Sequence, residues 1–436
     1  MPSLLVKNAD WIVTQNEKRE VLPNASVLIR DGVIVEVGDA STGSADEEID
    51  AKGKIVIPGL VNAHTHLSMT LFRGIADDML LQDWLQKKIW PLEAKHTDET
   101  CYVGALLGCA EMIMSGTTTF VDMYFHMEHV AQAVAESGLR GFLSYGVIDM
   151  FDEAKARLEQ DTSRKFFDYV RGLGNPRIRF ALGPHAPYTC SEETLLWAKE
   201  FAERNDAILH IHLAETRREQ ADSQREHGMR VVEYLDKIGA LSKKMLAAHC
   251  SWLTKSEVGL LARAGATVAH CPVSNMKLAT GGVAPLPEMF DAGVVVGLGT
   301  DSASSNNTLD MFETMKVCAL LHKAYRWDPT VLRAQKVLDL STIDGARALG
   351  AAGEIGSVQV GKRADMVLID GKAPNMMPVH GSNTIVSDLV YSASSANVDT
   401  TIVDGNILMR NRQVKSFNVA EVLSKAQEAA LQLAAA

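Results

Sequence analysis

The sequence predicts an α/β chain: a (β/α)8 TIM-like barrel carrying a small β-sandwich domain built from both chain ends. Three observations predict it. Between residues 58 and 357, short apolar runs alternate with longer segments of helical character, the pattern of βαβ units. The runs are continuously apolar rather than alternating, which suits parallel strands buried on both faces. Most of them stop at an ionisable residue, and in an eight-stranded barrel catalytic groups gather at those C-terminal strand ends.

Residues 1–57 are expected to supply the N-terminal part of the small β domain. In VLIRDGVIVEVG, Asp31-Gly32 separates two apolar runs, the signal for a tight hairpin whose turn takes positive φ. The same texture returns in GSVQVGKRADMVLI and in TTIVDGNILM, with a second Asp-Gly turn at Asp404-Gly405. Residues 358–436 are therefore read as the C-terminal part of that domain plus a terminal Ala-rich helix, opened by Asn418 and Glu421.

The barrel occupies 58–357. Its eight runs end at His64 and His66, then at Asp122, Asp149, His185, His212, His249, His270 and Asp301. The intervening helices carry boundary signals. Thr254 and Glu257 form a capping box on a helix closed by Gly265, and Ser191 precedes Glu192 and Glu193 at the positive end of another helix dipole.

Composition narrows the function classes. Of 436 residues, 47% are hydrophobic and 22% charged, ordinary for a soluble protein, and no run approaches the ~18 apolar residues of a membrane span. The opening MPSLLVKNADW lacks the long apolar stretch of a signal peptide, so a cytoplasmic protein is expected. The six cysteines are scattered with no C-x-x-C pair, which argues against a disulfide framework and a thiolate zinc site. A net charge of -11 without a Lys/Arg block leaves no footprint for a nucleic-acid backbone, so the expected partner is a small molecule. A homo-oligomer stays open, because exposed apolar faces are not readable from sequence.

The chemistry begins at IVIPGLVNAHTHL. Side chains on a strand alternate faces, so His64 and His66 project the same way and can share one cation. In HIHLAE, His212 is nearer the strand end and should reach the metal, while His210 suits barrel packing with a hydrogen bond. With Asp301 these make a nitrogen and oxygen donor set for a divalent ion such as zinc, one position being kept for water. Glu215, three residues beyond His212, is placed to carry a proton to and from that water; alone it would read as a carboxylate stabilising a helix dipole. His249 is either a further ligand or a group that polarises the water, with Asp301 opposite. Asp122, Asp149, His270 and the pair His126 and His129 are read as structural. No lysine stands at an inner strand end to bridge two ions, so one metal is expected.

As a set, PGLVNAHTHL, HLAE, HC at the sixth strand, HCPVSNMKLATG, GTDSASSNN and GSVQVGKRADMVLID resemble the amidohydrolase superfamily over nearly the whole chain. Within it, LFRGIADDMLLQDWLQKKIWPLE, GPHAPYTCS and the D-S-x-S-S-N-N stretch resemble 5-methylthioadenosine/S-adenosylhomocysteine deaminases. The resemblance implies a barrel with one zinc ion on His64, His66, His212 and Asp301, Glu215 as acid and base, and His249 and Asp301 activating the water. It also implies that Glu93 accepts both ribose hydroxyls, that His185 holds the substrate near the leaving amine, and that Arg157 meets an amino-acid carboxylate. The implied reaction is hydrolytic deamination of the adenine ring of 5'-methylthioadenosine, S-adenosylhomocysteine or adenosine to inosine-type products and ammonia. Relatives often carry an arginine in the stretch LSYGVID, where this chain has Tyr145, so methylthioadenosine is expected to be preferred over S-adenosylhomocysteine. Guanine or pterin deaminases and triazine hydrolases share the metal ligands but have no ribose for Glu93. A non-catalytic scaffold would have lost ligands that are all present here.

Overall fold

In the computed structural model, which describes residues 3–38 and 45–435, the predicted apolar runs form a parallel sheet. Seven strands are continuous: Leu60–His66, Thr117–Tyr124, Arg140–Val147, Ile178–Pro184, Ile208–Leu213, Met245–His249 and Thr267–His270. The eighth is interrupted. Its first half, Val296–Leu298, pairs with the seventh strand, and its second half, Asp301–Ser302, pairs with the first, which closes the barrel. Gly299 in the break donates to His270 O at 2.9 Å, and a Cβ there would stand 2.8 Å from His64 Cβ, so the close approach requires glycine. The continuous apolar reading matches burial: every residue of the second strand is buried. The helix caps read from sequence form, with Thr254 and Glu257 bonded reciprocally and Ser191 Oγ accepting from Thr194 N.

Both chain ends meet in a second, mixed sheet. Lys54–Pro58 pairs parallel with Leu4–Val13 and antiparallel with Met366–Asp370. Alternation gives each strand two jobs: Ile55, Ile57, Val367 and Ile369 pack into the barrel core, whereas Val56, Met366 and Leu368 face the sheet's own core with Val6 and Val27. The Asp31-Gly32 and Asp404-Gly405 turns take positive φ at all four residues.

The terminal helix Val419–Ala435 docks on the barrel. Val422, Ala426, Ala429 and Leu433 form its buried stripe in the barrel's core cluster, beside helix Asp98–Ser115. Among the described residues, no helix is long and apolar enough to cross a membrane.

Candidate active site

The first, fifth, sixth and eighth strands deliver their last ionisable residues to one point at the C-terminal mouth of the barrel. His66 Nε2 lies 3.3 Å from Asp301 Oδ1 and 3.2 Å from His212 Nε2, and His64 Nε2 lies 3.5 Å from the same Asp301 oxygen. The outer nitrogens are engaged elsewhere. His66 Nδ1 donates to Met123 O and His212 Nδ1 to His185 O, each at 2.7 Å. Ser144 spends its hydroxyl proton on Asp122 O, so its oxygen accepts from His210 Nδ1; His210 Nε2 then accepts from His64 Nδ1 at 2.7 Å. These bonds fix the tautomers, so that three Nε2 lone pairs converge on the Asp301 carboxylate.

Such a convergence fits a divalent ion. His64 Nε2 is buried without a hydrogen-bond partner, a vacancy that costs about 1–3 kcal/mol when no ligand answers it. The donor atoms of His64, His66 and Asp301, which could hold an ion together, lie within 4.8 Å of one another. Burial pushes His64 down to about 4, which keeps its lone pair free. Burial opposes ionisation of Asp301, yet the surrounding histidines hold its carboxyl well below the usual range. Its oxygens also accept from Ser274 Oγ, Ser305 Oγ and Ser302 N. Asp301 and His249 both sit at positive φ, 62° and 70°, a strained backbone of the kind that functional sites retain.

His249 differs from the other three histidines. Its Nδ1 accepts from Asn275 Nδ2 at 3.1 Å, while the Asn275 amide oxygen accepts from Ser251 Oγ. Its Nε2 therefore carries the proton and presents a donor where its neighbours present lone pairs. Glu215 faces this group from the fifth strand's exit; burial raises its carboxyl, with His249 opposing the rise.

A cleft with about 710 Å³ of empty space opens over the cluster. Glu93 reaches it from the end of a helix that carries a wider turn at Leu85–Ile89 just before Pro91, whose ring cannot continue a regular ladder. Glu93 is half-buried beside the Tyr124 phenol, and desolvation raises its carboxyl. His185, bonded through Nδ1 to Thr189 Oγ1 at 2.9 Å, is pushed down to about 3 by burial and stays neutral. Trp84, Leu85, Phe125 and Ile148 make an apolar wall, and no Lys or Arg lines the cleft among the described residues.

Two expectations need correction. Arg157 does not reach the cleft: it lies on helix Glu153–Leu173 with its side chain 71% exposed, 3.9 Å from Glu153. Tyr145 does not face the cleft either. Strand alternation turns Ser144 and Gly146 inward and sends Tyr145 towards that same helix, where its hydroxyl meets Glu159. The position that faces the ligand space here is Ile148.

The residues read as structural have ordinary partners. Asp149 accepts from Phe151 N and from Ser191 N and Oγ, Asp122 accepts from Leu67 N, and His126 and His129 face Asp98. His270 turns outward to bond His322 at 3.1 Å, near Cys318. Sequence reading missed Ser274, Asn275 and Ser305, although all lie in the motifs HCPVSN and DSASSNN, because their task is to bond another side chain. It also missed Glu219, whose Thr216-x-x-Glu219 spacing was a legible capping signal.

A barrel whose strand ends present this donor set belongs to a defined class: the chain is a member of the amidohydrolase family, which it matches over residues 55–408. It is a hydrolytic deaminase by the company it keeps. It is 50% identical over 409 residues to a 5'-deoxyadenosine deaminase of Methanothermobacter thermautotrophicus, covering 94% of each chain. It is 48% identical over 412 residues to a 5-methylthioadenosine/S-adenosylhomocysteine deaminase of Thermococcus onnurineus, covering 94% of this chain and 95% of that one. A crystal structure of an adenosine deaminase from Xanthomonas campestris with bound zinc superposes with a TM-score of 0.94 at 34% identity, covering 99% of both chains.

Proposed function

We propose that the cleft deaminates the adenine ring of a 5'-modified adenosine whose 5' substituent is small and apolar, 5'-deoxyadenosine or 5'-methylthioadenosine, in preference to S-adenosylhomocysteine. The observation that carries this reading is the pairing of one half-buried carboxylate, Glu93, with an apolar wall that holds no cation among the described residues. A vicinal ribose diol matches a single carboxylate, and an amino-acid carboxylate at the 5' end would find no basic partner. The identities of the relatives support the same class of substrate.

In this reading His64, His66, His212 and Asp301 hold one zinc ion, which when bound supplies a nucleophile at neutral pH by acidifying water. Glu215 takes the proton of the attacking water and delivers it to the purine ring nitrogen; its raised pKa suits it to both tasks. The His249 N–H donates to the attacking oxygen, and Asp301 fixes it from the other side. Neutral His185 lies at the cleft edge, where the leaving amine departs. Water enters, ammonia leaves, and the ring becomes an inosine-type product.

The test is ammonia release across 5'-deoxyadenosine, methylthioadenosine, adenosine, S-adenosylhomocysteine, guanine and a chlorotriazine. The first two should show kcat/KM about tenfold or more above S-adenosylhomocysteine, the worth of one missing charge-assisted hydrogen bond. Silence on the adenosines with turnover of guanine or the triazine would overturn the reading.

A further inference from the structure

The loop that carries Glu215 is held by a carboxylate that no part of the proposed chemistry uses. Helix Arg217–His227 opens at Thr216, whose Oγ1 accepts from Glu219 N at 3.0 Å, the first half of a capping box. In the ordinary box the glutamate returns to the cap residue's own N–H. Here it reaches further back: Glu219 Oε1 accepts from Ala214 N at 2.9 Å, and Oε2 accepts from Glu215 N at 2.8 Å. Both oxygens are thereby spent on two consecutive amides.

Those two amides frame the bend at which the chain leaves the fifth strand. Ala214 is held at φ 52°, a left-handed backbone that alanine adopts only under constraint. The fork supplies the constraint, and it acts on the residue whose side chain must stand over the metal cluster. Glu219 is buried, and burial, with the charge of Glu215, pushes its carboxyl up to about 7 while the Ala214 and Glu215 amides and, more weakly, the Thr216 amide hold it down. A buried carboxylate is costly to keep unless its bonds serve something. The comparable buried cap carboxylate, Glu257, is paired with Arg230 at 2.7 Å, whereas the oxygens of Glu219 go to backbone amides.

We infer that Glu219 is a positioning residue for Glu215: its carboxylate fork locks the Ala214–Glu215 peptide so that the Glu215 carboxylate is presented to the attacking water and the ring nitrogen. The inference rests on Glu215 being the proton carrier. A glutamine at 219 has one acceptor oxygen, and its NH2 would point a donor at the second amide, so half the fork is lost and reversed.

The experiment is a double-mutant cycle on 5'-deoxyadenosine with Glu215→Gln and Glu219→Gln, with metal content and amide exchange of the peptide spanning 210–220 measured alongside. Glu219→Gln should lower kcat about 10- to 100-fold, the effect of misplacing a catalytic group by about an ångström, with KM and metal content within about twofold of the parent. The Ala214 and Glu215 amides should exchange faster. In the Glu215→Gln background the same substitution should cost nothing further, because the group it positions is already gone. Full additivity, an unchanged kcat, or a fall in kcat that follows loss of metal would overturn the inference. Should Glu219→Gln fail to fold, Glu219→Asp, too short to span both amides, carries the same reading. Near-normal turnover by Glu215→Gln alone would retire the proton carrier itself; an impaired Glu215→Gln beside a normal Glu219→Gln would retire only the positioning.

Discussion

Two buried polar clusters sit at opposite ends of the same barrel and follow opposite rules. At the N-terminal end, Arg140 opens the third strand and donates to both oxygens of Asp365, at 3.0 and 3.2 Å, and to Asp404 at 2.9 Å; all three side chains are at most 4% exposed. Asp365 also accepts from Asp404 N, and Arg177 and Arg363 stand within 4 Å of Asp404. Each charge has its partners in the folded chain, and the cluster fastens the barrel to the sheet made from the chain ends. At the C-terminal end, His64 Nε2 has no partner, His249 points a donor into open space, and Asp301 and His249 hold strained backbones. At the strand ends the unpartnered and strained groups also line a cleft, and that combination fits a ligand.

The sharpest break in that comparison is Glu215→Gln. It keeps the volume and the metal ligands, so kcat should fall by about two to four orders of magnitude while the bound metal and the unfolding midpoint hold. Turnover near the parent's would remove Glu215 from the mechanism. Arg140→Met should do the reverse. Buried Asp365 loses its counter-charge and Asp404 loses the nearest of its three, and equilibrium unfolding in urea should show about 3–5 kcal/mol less stability, with the kcat of the folded fraction unchanged. Equal damage to stability and kcat would mean that the two ends are coupled.

Smaller effects sharpen the picture within the catalytic face. Ile148→Arg places a cation on the apolar wall, and the ratio of kcat/KM for S-adenosylhomocysteine to that for methylthioadenosine should rise about tenfold. An unchanged ratio would put the 5' end of the substrate elsewhere. Histidine burial should also be visible in stability. Burial holds His96 and His322 at about 4, against the usual ~6.5 of the unfolded chain. The unfolded state therefore binds more protons between those values, and stability is lost as pH falls through that window. The thermal midpoint should decline from pH 6.5 to pH 4, less steeply in His96→Gln.

Much of this was legible in the chain. The H-x-H of the first strand, the polar strand ends and the Asp-Gly turns rest on period-two geometry and local turn chemistry, which a sequence carries directly. Other parts depend on where distant segments meet. Nothing in the sequence singles out Arg140, which is buried because Asp365 and Asp404, 225 and 264 positions away, close over it. The resemblance points to Tyr145 as the position where relatives carry an arginine, but alternation gives two sets of side chains and nothing local to that strand says which faces inward; Ser144 bonding inward to the Asp122 carbonyl and towards His210 decides it. Arg157 failed for a related reason, since a helix face cannot be placed before the helix is docked. Glu219 announced a capping box but not that its oxygens would reach past the cap to the loop bearing Glu215.

The cluster at the strand ends has the donor set to hold a metal, whereas the paired cluster at the other end does not. The most direct test of this follows deamination of 5'-deoxyadenosine while divalent metal is stripped by a chelator and then restored. Activity should vanish with the loss of one ion per chain and return when zinc is added back, with the chain folded throughout. Full activity in the metal-free protein would contradict it.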